Sequence, residues 1–402
     1  MSSFPALFSP RAPLAALFLS FTLAVSAPTA HAAERQVGPS NVSSSFGFYG
    51  TTPENPAGRL VAYVAYKPGI TPDSTRQEGE LWVVDTDFAN PRKVADITGF
   101  SPHDGAELSW LDDHRVAFRD YQRELRTSAL RVVDVRTGKD TIPPHIGATT
   151  LGHNPHGSRI LFNATDKDGR HAGLEPGIHE WDTETGAVRP VFLTKEQVAS
   201  VLPQLPPKAV VEGLLPPSDW QCLHSQYSPD GRKVLFRLDV AKPTDAWLVA
   251  VCDVDGKNLV LMQSEAEHML HVLWRDSDTL VAHDREGAHW TKPGVLKLWK
   301  IGAGSGVPIG IPGNHLAVSP DGKHFASETG YHSNPVVLRY FPEGTLDLKD
   351  AKIITEHRFP EITWKKSFHI NPSFSRDGKR IYYHKPLNNE INGTFCFDLS
   401  TP

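Results

Sequence analysis

One hairpin pattern recurs along the chain and constrains its fold more than any other feature. A short alternating strand, a tight Asp-Gly turn and a second strand appear in HSQYSPDGRKVLFRL, HLAVSPDGKHFASE and NPSFSRDGKRIYYHK, starting at His224, His315 and Asn371. Asp-Gly supplies the positive φ that such a turn needs. Weaker copies start at Asn55, Glu107, Gly152 and His271. The chain therefore contains seven related units.

A second pair of strands follows the hairpins, as in ELWVVDTD from Glu80 and AWLVAVCDVDG from Ala246. Four short strands in roughly 45 to 55 residues are typical of a β-propeller blade. We therefore predict an all-β fold, a seven-bladed β-propeller that occupies residues 33–402 as one domain. The alternative, a long array of β-sandwiches, does not require the hairpin to recur in one register. Because the last unit ends after three strands, we expect residues 34–44 to supply its outer strand.

Residues 1–32 have the pattern of a signal peptide. An apolar stretch, residues 14–25, is followed by Ala30-His31-Ala32, an A-x-A cleavage pattern. We therefore expect a periplasmic or secreted protein, with no membrane segment after cleavage. Its three cysteines are too few for a disulfide scaffold. Cys222 and Cys252 should lie at opposite ends of one blade and should not form a disulfide.

The charge balance excludes some partners. In 402 residues, 41 Lys and Arg face 46 Asp and Glu, which leaves a formal net charge of -5 with no block of basic residues. Such a chain gives no electrostatic reason to expect nucleic acid or an anionic membrane as a partner. We expect it to be a monomer.

An insertion at about residues 191–219 lengthens one of the units. Thr194-Lys195-Glu196-Gln197 has the pattern of a capping box, which predicts a short helix that ends at Pro203, and Pro-rich segments follow. A connection between blades emerges on the face where inner strands begin. We therefore predict that the insertion forms a lid or cleft wall there, with a surface excursion as the alternative.

Histidines recur at one register of the predicted inner strands. The chain contains 19 His. The turn anchors, one in each hairpin, are Gly58, His114, Gly157, Gly231, Asp278, Gly322 and Gly378. Seven residues before them lie Thr51, Glu107, Thr150, His224, His271, His315 and Asn371. His369 lies two residues before Asn371. Because inner strands converge on the propeller axis, these side chains should ring one mouth of the channel. Converging imidazoles can hold a divalent metal or provide a general base. The alternative is a set of hydrogen bonds at strand ends without a ligand.

The segments Leu223–Pro229, Leu270–Trp274 and Lys366–Ser375 resemble the oligogalacturonate lyase family, whose members are seven-bladed, TolB-like propellers. The resemblance implies a divalent metal, typically manganese, held by three His and one Gln. It also implies a further His that removes the proton next to the uronate carboxyl group. The base corresponds to His224, and two ligands correspond to His271 and His369. The third ligand His is replaced by Asn371, and the ligand Gln by Lys366.

Abstraction of a proton next to a carboxylate requires neutralisation of the developing negative charge. We therefore expect Lys366 and Arg237 to act as catalytic cations beside His224. His271, His315, His369 and Asn371 form the candidate metal site, for Mn²⁺ or Ca²⁺, and Gln226 and Trp220 are expected to bind substrate. The sequence thus predicts an exported lyase that cleaves an acidic oligosaccharide by β-elimination, with proton abstraction at C5. The alternatives are a glycoside hydrolase acting on a uronate-linked sugar such as rhamnosyl-glucuronate, and a non-catalytic TolB-like binding propeller of the cell envelope.

Overall fold

Seven antiparallel sheets follow one another along the chain and form the blades of a β-propeller, which confirms the predicted fold. A computed structural model describes residues 34–70, 77–100, 105–122, 127–141, 152, 156–164, 174–205, 214–240, 248–262, 269–284, 294–329, 333, 335–345, 347–357, 369–388 and 390–400. The predicted signal peptide and Lys366 lie outside these residues. No helix in the described part of the chain is long and apolar enough to cross a membrane.

Blades 1, 2 and 4 each run from an inner strand at the channel to an outer strand at the rim. Blade 1 has β2 (Ser44–Ser45), β3 (Leu60–Tyr66), β4 (Gln77–Asp85) and β5 (Arg92–Phe100). Blade 2 has β6 (Ser109–Trp110), β7 (Arg115–Gln122), β8 (Thr127–Asp134) and β9 (Lys139–Thr141). Blade 3, within its described residues, has β10 (Arg159–Ala164), β11 (Gly177–Asp182) and β12 (Val188–Leu193). Blade 4 has β13 (Gln221–Tyr227), β14 (Lys233–Asp239), β15 (Leu248–Asp253) and β16 (Val260–Leu261).

The remaining blades complete the ring in the same order. Blade 5 has β17 (Met269–Asp276), β18 (Thr279–Asp284), β19 (Gly294–Lys300) and β20 (Val307–Gly313). Blade 6 has β21 (Leu316–Val318), β22 (Phe325–Glu328), β23 (Val336–Phe341) and β24 (Lys352–His357). Blade 7 has β25 (Ser373–Phe374), β26 (Arg380–Pro386), β27 (Asn392–Asp398) and, from the start of the chain, β1 (Glu34–Gln36).

The recurring Ser-Pro-Asp-Gly and Ser-Arg-Asp-Gly turns have a common hydrogen-bond pattern. Ser228 Oγ donates to Asp230 Oδ1 and accepts from the backbone N–H of Lys233, and Ser375 does the same with Asp377 and Arg380. The glycine that follows has a φ of 69° at Gly231. A glycine tolerates that left-handed conformation at little cost. The repeated sequence thus encodes the same hydrogen-bonded turn in each of these blades.

Blades pack face to face, so both faces of a strand are apolar. Val234, Leu235 and Phe236 are consecutive buried residues of β14, and Phe236 packs on Phe192 of blade 3 with ring centroids 4.7 Å apart. Cys222, Cys252 and Cys396 are buried and free, so the expectation for the first two is confirmed.

The insertion differs from its prediction. Its helix α1 (Val198–Val201) is preceded by Gln197 as N-cap, without a side-chain capping bond, and Thr194 Oγ1 instead donates to Pro176 O. Gln204, in the 3-10 turn that follows, bonds to the backbone of Leu259 and Leu261 beside outer strand β16. An outer strand lies at the opposite edge of a blade from the channel. Because Thr194 does not cap the helix, the prediction of a capping box was wrong. Because the helix is followed by contacts with an outer strand, it is not a lid over the histidines.

The ends of the chain close the ring as predicted. In β1, Glu34, Arg35 and Gln36 pair with Phe397, Cys396 and Phe395 of β27. The Glu34 carboxylate accepts hydrogen bonds from Tyr383 and Lys385 of β26, and Val37 is buried. The last blade therefore obtains its fourth strand from the other end of the chain.

Deletion of residues 34–37 from a chain that starts at residue 33 is expected to lower the free energy of unfolding by about 4 kcal/mol. The deletion removes the β1 ladder, whose hydrogen bonds contribute about 1 kcal/mol each, and the burial of Val37, worth roughly 2 kcal/mol. Urea denaturation measures the loss. A variant with alanine at residues 34–36 keeps the ladder and Val37, so it should lose less than half as much. Equal stability of the deletion variant and the parent chain would show that β1 does not close the ring.

Candidate functional site

The register that carries the histidines has an unusual backbone. Glu107, His224, His271 and Asn371 occupy equivalent positions in four blades, and all have positive φ, at 52°, 53°, 51° and 45°. The ladders of β13 and β17 are interrupted there, between Leu223 and Gln226 and between Leu270 and Leu273. A left-handed non-glycine residue costs about 1 to 3 kcal/mol and occurs most often at functional sites. The strain recurs where the sequence places its candidate site.

Two imidazoles of this register, His271 and His315, lie side by side with that of His369, two residues before Asn371. The ring centroids of His271 and His315 are 4.1 Å apart, and those of His315 and His369 are 4.2 Å apart. His315 and His369 are buried, and His271 is half-buried. His271 Nδ1 lies 2.9 Å from the carbonyl oxygen of Asn314. Since a carbonyl only accepts, Nδ1 carries the proton in this hydrogen bond. The predicted convergence of blades 5, 6 and 7 is present.

A buried carboxylate that the sequence analysis missed organises this cluster. Glu328, on β22, bonds through Oε1 to His315 Nδ1, accepts the backbone N–H of Ile370 at Oε2 (2.8 Å), and lies 3.9 Å from His369 Nδ1. Burial raises the pKa of Glu328 to about 8, although the backbone hydrogen bonds lower it. The bond from Glu328 to His315 fixes the orientation of that ring.

His315, Glu328 and His369 are suited to bind a metal ion. One ligand atom from each lies within 4.8 Å of the others. Imidazole nitrogen with one carboxylate oxygen is a donor set that suits a transition metal such as Mn²⁺, whereas Ca²⁺ prefers oxygen donors throughout. The residues therefore fit a divalent transition metal, and Glu328 takes the part in the set that was expected of Asn371.

Asn371 lies beside the cluster. Its Nδ2 donates to the backbone oxygen of Gly47 (3.3 Å), and its buried Oδ1 has no hydrogen-bond partner among the described residues. The side chain thus links the inner strand of blade 7 to the loop after β2.

Two aromatic side chains of that loop fill the centre of the histidine ring. The centroid of Phe48 lies 5.2 Å from that of His315, 5.7 Å from that of His369 and 6.0 Å from that of His224. Tyr49 lies 4.9 Å from His271 and 5.5 Å from His224. Both rings are buried. We call residues 46–51 the aromatic turn; it covers the histidines.

The aromatic turn is held at both ends. The backbone N–H of Phe46 donates to His384 Nε2 (3.1 Å), and burial lowers the pKa of His384 to about 4, so the ring is neutral. At the other end, Thr51 Oγ1 donates to Phe48 O at 2.6 Å. Gly47 and Gly50 flank the two aromatic residues with φ of 130° and 80°. The aromatic turn is therefore fixed by hydrogen bonds at both ends, and a glycine with positive φ lies on each side of the two aromatic residues.

Other predicted site residues have different surroundings. Arg237 Nε and Nη2 bind both oxygens of Asp239, at 2.7 and 2.8 Å, so the edge expected to grip a substrate carboxylate already holds a carboxylate. Gln226 is buried and donates to Val272 O (2.9 Å), which joins blades 4 and 5. Trp220 is a core residue whose Nε1 donates to Leu215 O. Trp220 is therefore not placed to bind substrate, because its side chain is buried beneath the insertion.

A sequence signal for Glu328 existed. It lies six residues after the turn glycine Gly322. The same step reaches Val64 in the first blade and a polar residue in each of the other five: Asp120, Asn163, Arg237, Asp284 and His384. Polar residues at this register of a buried strand face the inner strand near its histidine, as Glu328 faces His315. Phe48 and Tyr49 had no comparable signal, because their turn interrupts the repeat instead of following it.

Comparison with solved structures identifies relatives in fold. An oligogalacturonate lyase from Vibrio parahaemolyticus is 12% identical, with a TM-score of 0.64 over 92% of this chain and 94% of that chain. An oligogalacturonate lyase in complex with manganese is 14% identical, with a TM-score of 0.60 over 92% of this chain and 93% of that chain. A prolyl endopeptidase is 14% identical, with a TM-score of 0.55 over 90% of this chain and 49% of that chain.

No protein-family model matches the sequence, and no curated protein matches it. At identities of 12 to 14% the likeness shows the propeller fold, which lyases and peptidases share. Function must therefore be argued from the site.

Proposed function

We propose that this chain is an exported carbohydrate lyase that cleaves a uronic-acid-containing oligosaccharide by β-elimination. The observation that carries the proposal is the cluster of His271, His315 and His369 with buried Glu328, which bonds to His315 and lies 3.9 Å from His369. A propeller that only binds a partner does not need buried imidazoles organised by a carboxylate. The likeness in fold to two oligogalacturonate lyases, over 92% of this chain, adds support.

His224 is the proposed base. It shares the strained register with His271 but lies outside the set of His315, Glu328 and His369 that can hold a metal. A neutral imidazole there would accept the C5 proton as the C4–O4 bond breaks and the C4=C5 double bond forms. O4 would leave with the electron pair of that bond and take a proton from water. A divalent ion in the His/Glu set would neutralise the uronate carboxylate and so make the C5 proton more acidic.

In this proposal the positive charge that neutralises the uronate carboxylate does not come from Arg237 or Lys366. Arg237 is engaged with Asp239, and Lys366 lies outside the described residues. The His/Glu set therefore takes the main neutralising role in the proposal, with Mn²⁺ as the preferred ion. Substrate reaches the cluster only when Phe48 and Tyr49 move away from it, because their buried rings occupy its centre.

Export rests on the signal pattern in residues 1–32. Cleavage after Ala32 would leave Glu34 close to the new N-terminus, where it can pair with β27. We propose a periplasmic or secreted monomer.

The test is a spectrophotometric assay with oligosaccharides of galacturonate, glucuronate and rhamnosyl-glucuronate. β-Elimination leaves a double bond conjugated to the carboxylate, so ultraviolet absorbance should rise with at least one substrate. Chelation should lower the rate more than tenfold, and Mn²⁺ should restore it. The His324→Ala variant is the control for substitutions of the clustered histidines and should keep wild-type activity, because His324 bonds to Tyr340 at a turn of blade 6. Release of reducing ends without absorbance would instead indicate a hydrolase, and no reaction across the panel would contradict an enzyme of this class.

A further inference from the structure

The aromatic turn packs on imidazoles of blades 4 to 7 and closes the histidine ring. Phe48 and Tyr49 are only 3% and 4% exposed. The Tyr49 ring stacks on that of His315, with centroids 5.9 Å apart and an angle of 19° between the planes. His315 and His369 are buried as well. In this conformation a solute of the size of a sugar ring cannot touch either imidazole.

The cover is a short loop whose two ends lie together. Gly47 and Gly50 stand before and after the two aromatic residues and have positive φ. A Cβ atom on Gly47 would lie 3.1 Å from Thr51 Oγ1, so the start and the end of the loop are in contact. Glycine adopts either sign of φ at little cost. Rotation at both glycines can therefore turn the two rings together while Phe46 and Thr51 stay in place.

Two side chains hold the loop in the closed position. Thr51 Oγ1 donates to Phe48 O at 2.6 Å, and Asn371 Nδ2 donates to Gly47 O at 3.3 Å. Both acceptors are carbonyl groups of the loop itself, so they would turn with the rings. Because water can replace each donor once the loop rotates, each bond adds only a small net preference for the closed position.

The closed position leaves a polar atom of the site unsatisfied. Asn371 is 3% exposed, and its Oδ1 accepts no hydrogen bond within the part of the chain that the structure describes. A buried acceptor of this kind raises the free energy of the closed position relative to one in which water or a ligand reaches it. Because the same side chain bonds to Gly47, movement of the loop uncovers it.

We propose that the aromatic turn is a gate over the histidines. Rotation at Gly47 and Gly50 swings both rings out of the cluster, and the bonds from Thr51 and Asn371 hold the gate closed in the absence of ligand. The closed gate inhibits the reaction of the cluster until it opens. This inference rests on the proposed function, because it concerns access to the same cluster, but gate opening can be measured without a substrate.

Diethyl pyrocarbonate, which acylates neutral imidazole, measures how often the gate is open. Peptide mass spectrometry gives the initial rates of modification at His315 and at His369 in one sample. Thr51→Val keeps both aromatic rings and removes one bond to the gate, so both rates should rise about fivefold. Thr183→Val is the matched control and should leave both rates unchanged, because it removes the bond from Thr183 Oγ1 to Ser158 O in blade 3.

Further measurements separate gate opening from unfolding. His179 is buried in blade 3 and should react at the same low rate in wild type and in the Thr51→Val variant. Phe48→Ala removes part of the cover and should raise the rate at His315 more than tenfold. Asn371→Gly removes the other bond, suits the φ of 45° at that position, and serves if Thr51→Val does not fold.

Equal rates at His315 and His179 in every variant would overturn the proposal, because the cluster would then become accessible only when the protein unfolds. Unchanged rates at His315 and His369 in the Thr51→Val variant would also overturn it, since the aromatic turn would then be a fixed part of the core. If the rates rise and no uronate is cleaved, the gate stands and the lyase function fails. If a uronate is cleaved and the rates do not change, the lyase function stands and the gate fails.

Discussion

His224→Asn is expected to lower the rate of β-elimination by about a thousandfold while leaving the fold intact. A positioned general base contributes roughly 10² to 10⁴ in rate, and asparagine has no group that can accept the C5 proton at neutral pH. Asparagine is chosen because it tolerates a left-handed backbone, as Asn371 shows at the same register with φ of 45°. Initial rates from ultraviolet absorbance, with substrate both below and above KM, measure the effect.

The control for this variant is His224→Ala. Alanine removes the imidazole too, but it is strained at a φ of 53°, so it should lose the same activity and about 1 kcal/mol more stability. If His224 only fills space beside Phe48 and Tyr49, both variants would retain most of the activity. That result would remove His224 from the reaction while leaving the metal cluster to be tested separately.

Glu54→Gln is expected to destabilise the protein by about 3 to 5 kcal/mol. Glu54 is fully buried in blade 1, and its carboxylate accepts bonds from Arg380 Nη2 (2.7 Å) and from the Tyr382 hydroxyl in blade 7. Loss of its charge leaves the largely buried guanidinium of Arg380 without a counter-ion, and breaking a buried pair costs about that much. Chemical denaturation of wild type and variant gives the difference.

A double-mutant cycle makes this prediction specific. Arg380→Gln alone should also destabilise the protein, and the double variant should lose much less than the sum, because the two groups interact directly. Glu343→Gln, at an exposed pair with Lys323, is the control and should change stability by less than about 0.5 kcal/mol. Additive effects of the two buried substitutions would contradict a direct coupling between the first and last blades.

Much of the site follows from the repeat. The turn anchors place His224, His271 and Asn371 at one register, and the structure shows the same backbone conformation at all three. The same counting places His315 in the cluster, although its backbone is not left-handed. Roles were less predictable than positions. Trp220 became a core residue and Arg237 an ion-pair partner of Asp239, because long-range packing decides which polar or aromatic side chain faces a cavity.

The insertion shows a different limit. Its helix was expected from local signals and exists at Val198–Val201. The location of the helix depends on apolar residues such as Val201, which pack into the core between blades 3 and 4. A capping pattern describes only the nearest turn, and here the Thr194 side chain found a partner in Pro176. Local sequence signals predicted the helix, and its packing against blades 3 and 4 determined where it lies.

Local periodicity alone determined the blade number, the hairpin turns and the closing strand, because each depends on residues only a few positions apart or on counting strands. The tertiary structure alone decided that Glu328 joins His315 and His369, and that Phe48 and Tyr49 lie among the histidines. The contact between Glu328 and His315 lies within one blade. The contact of Glu328 with His369 and those of Phe48 and Tyr49 join different blades, some between residues hundreds of positions apart. These contacts are stabilised by burial of side chains that converge at the propeller axis. A pattern of neighbouring residues does not predict which side chains meet there.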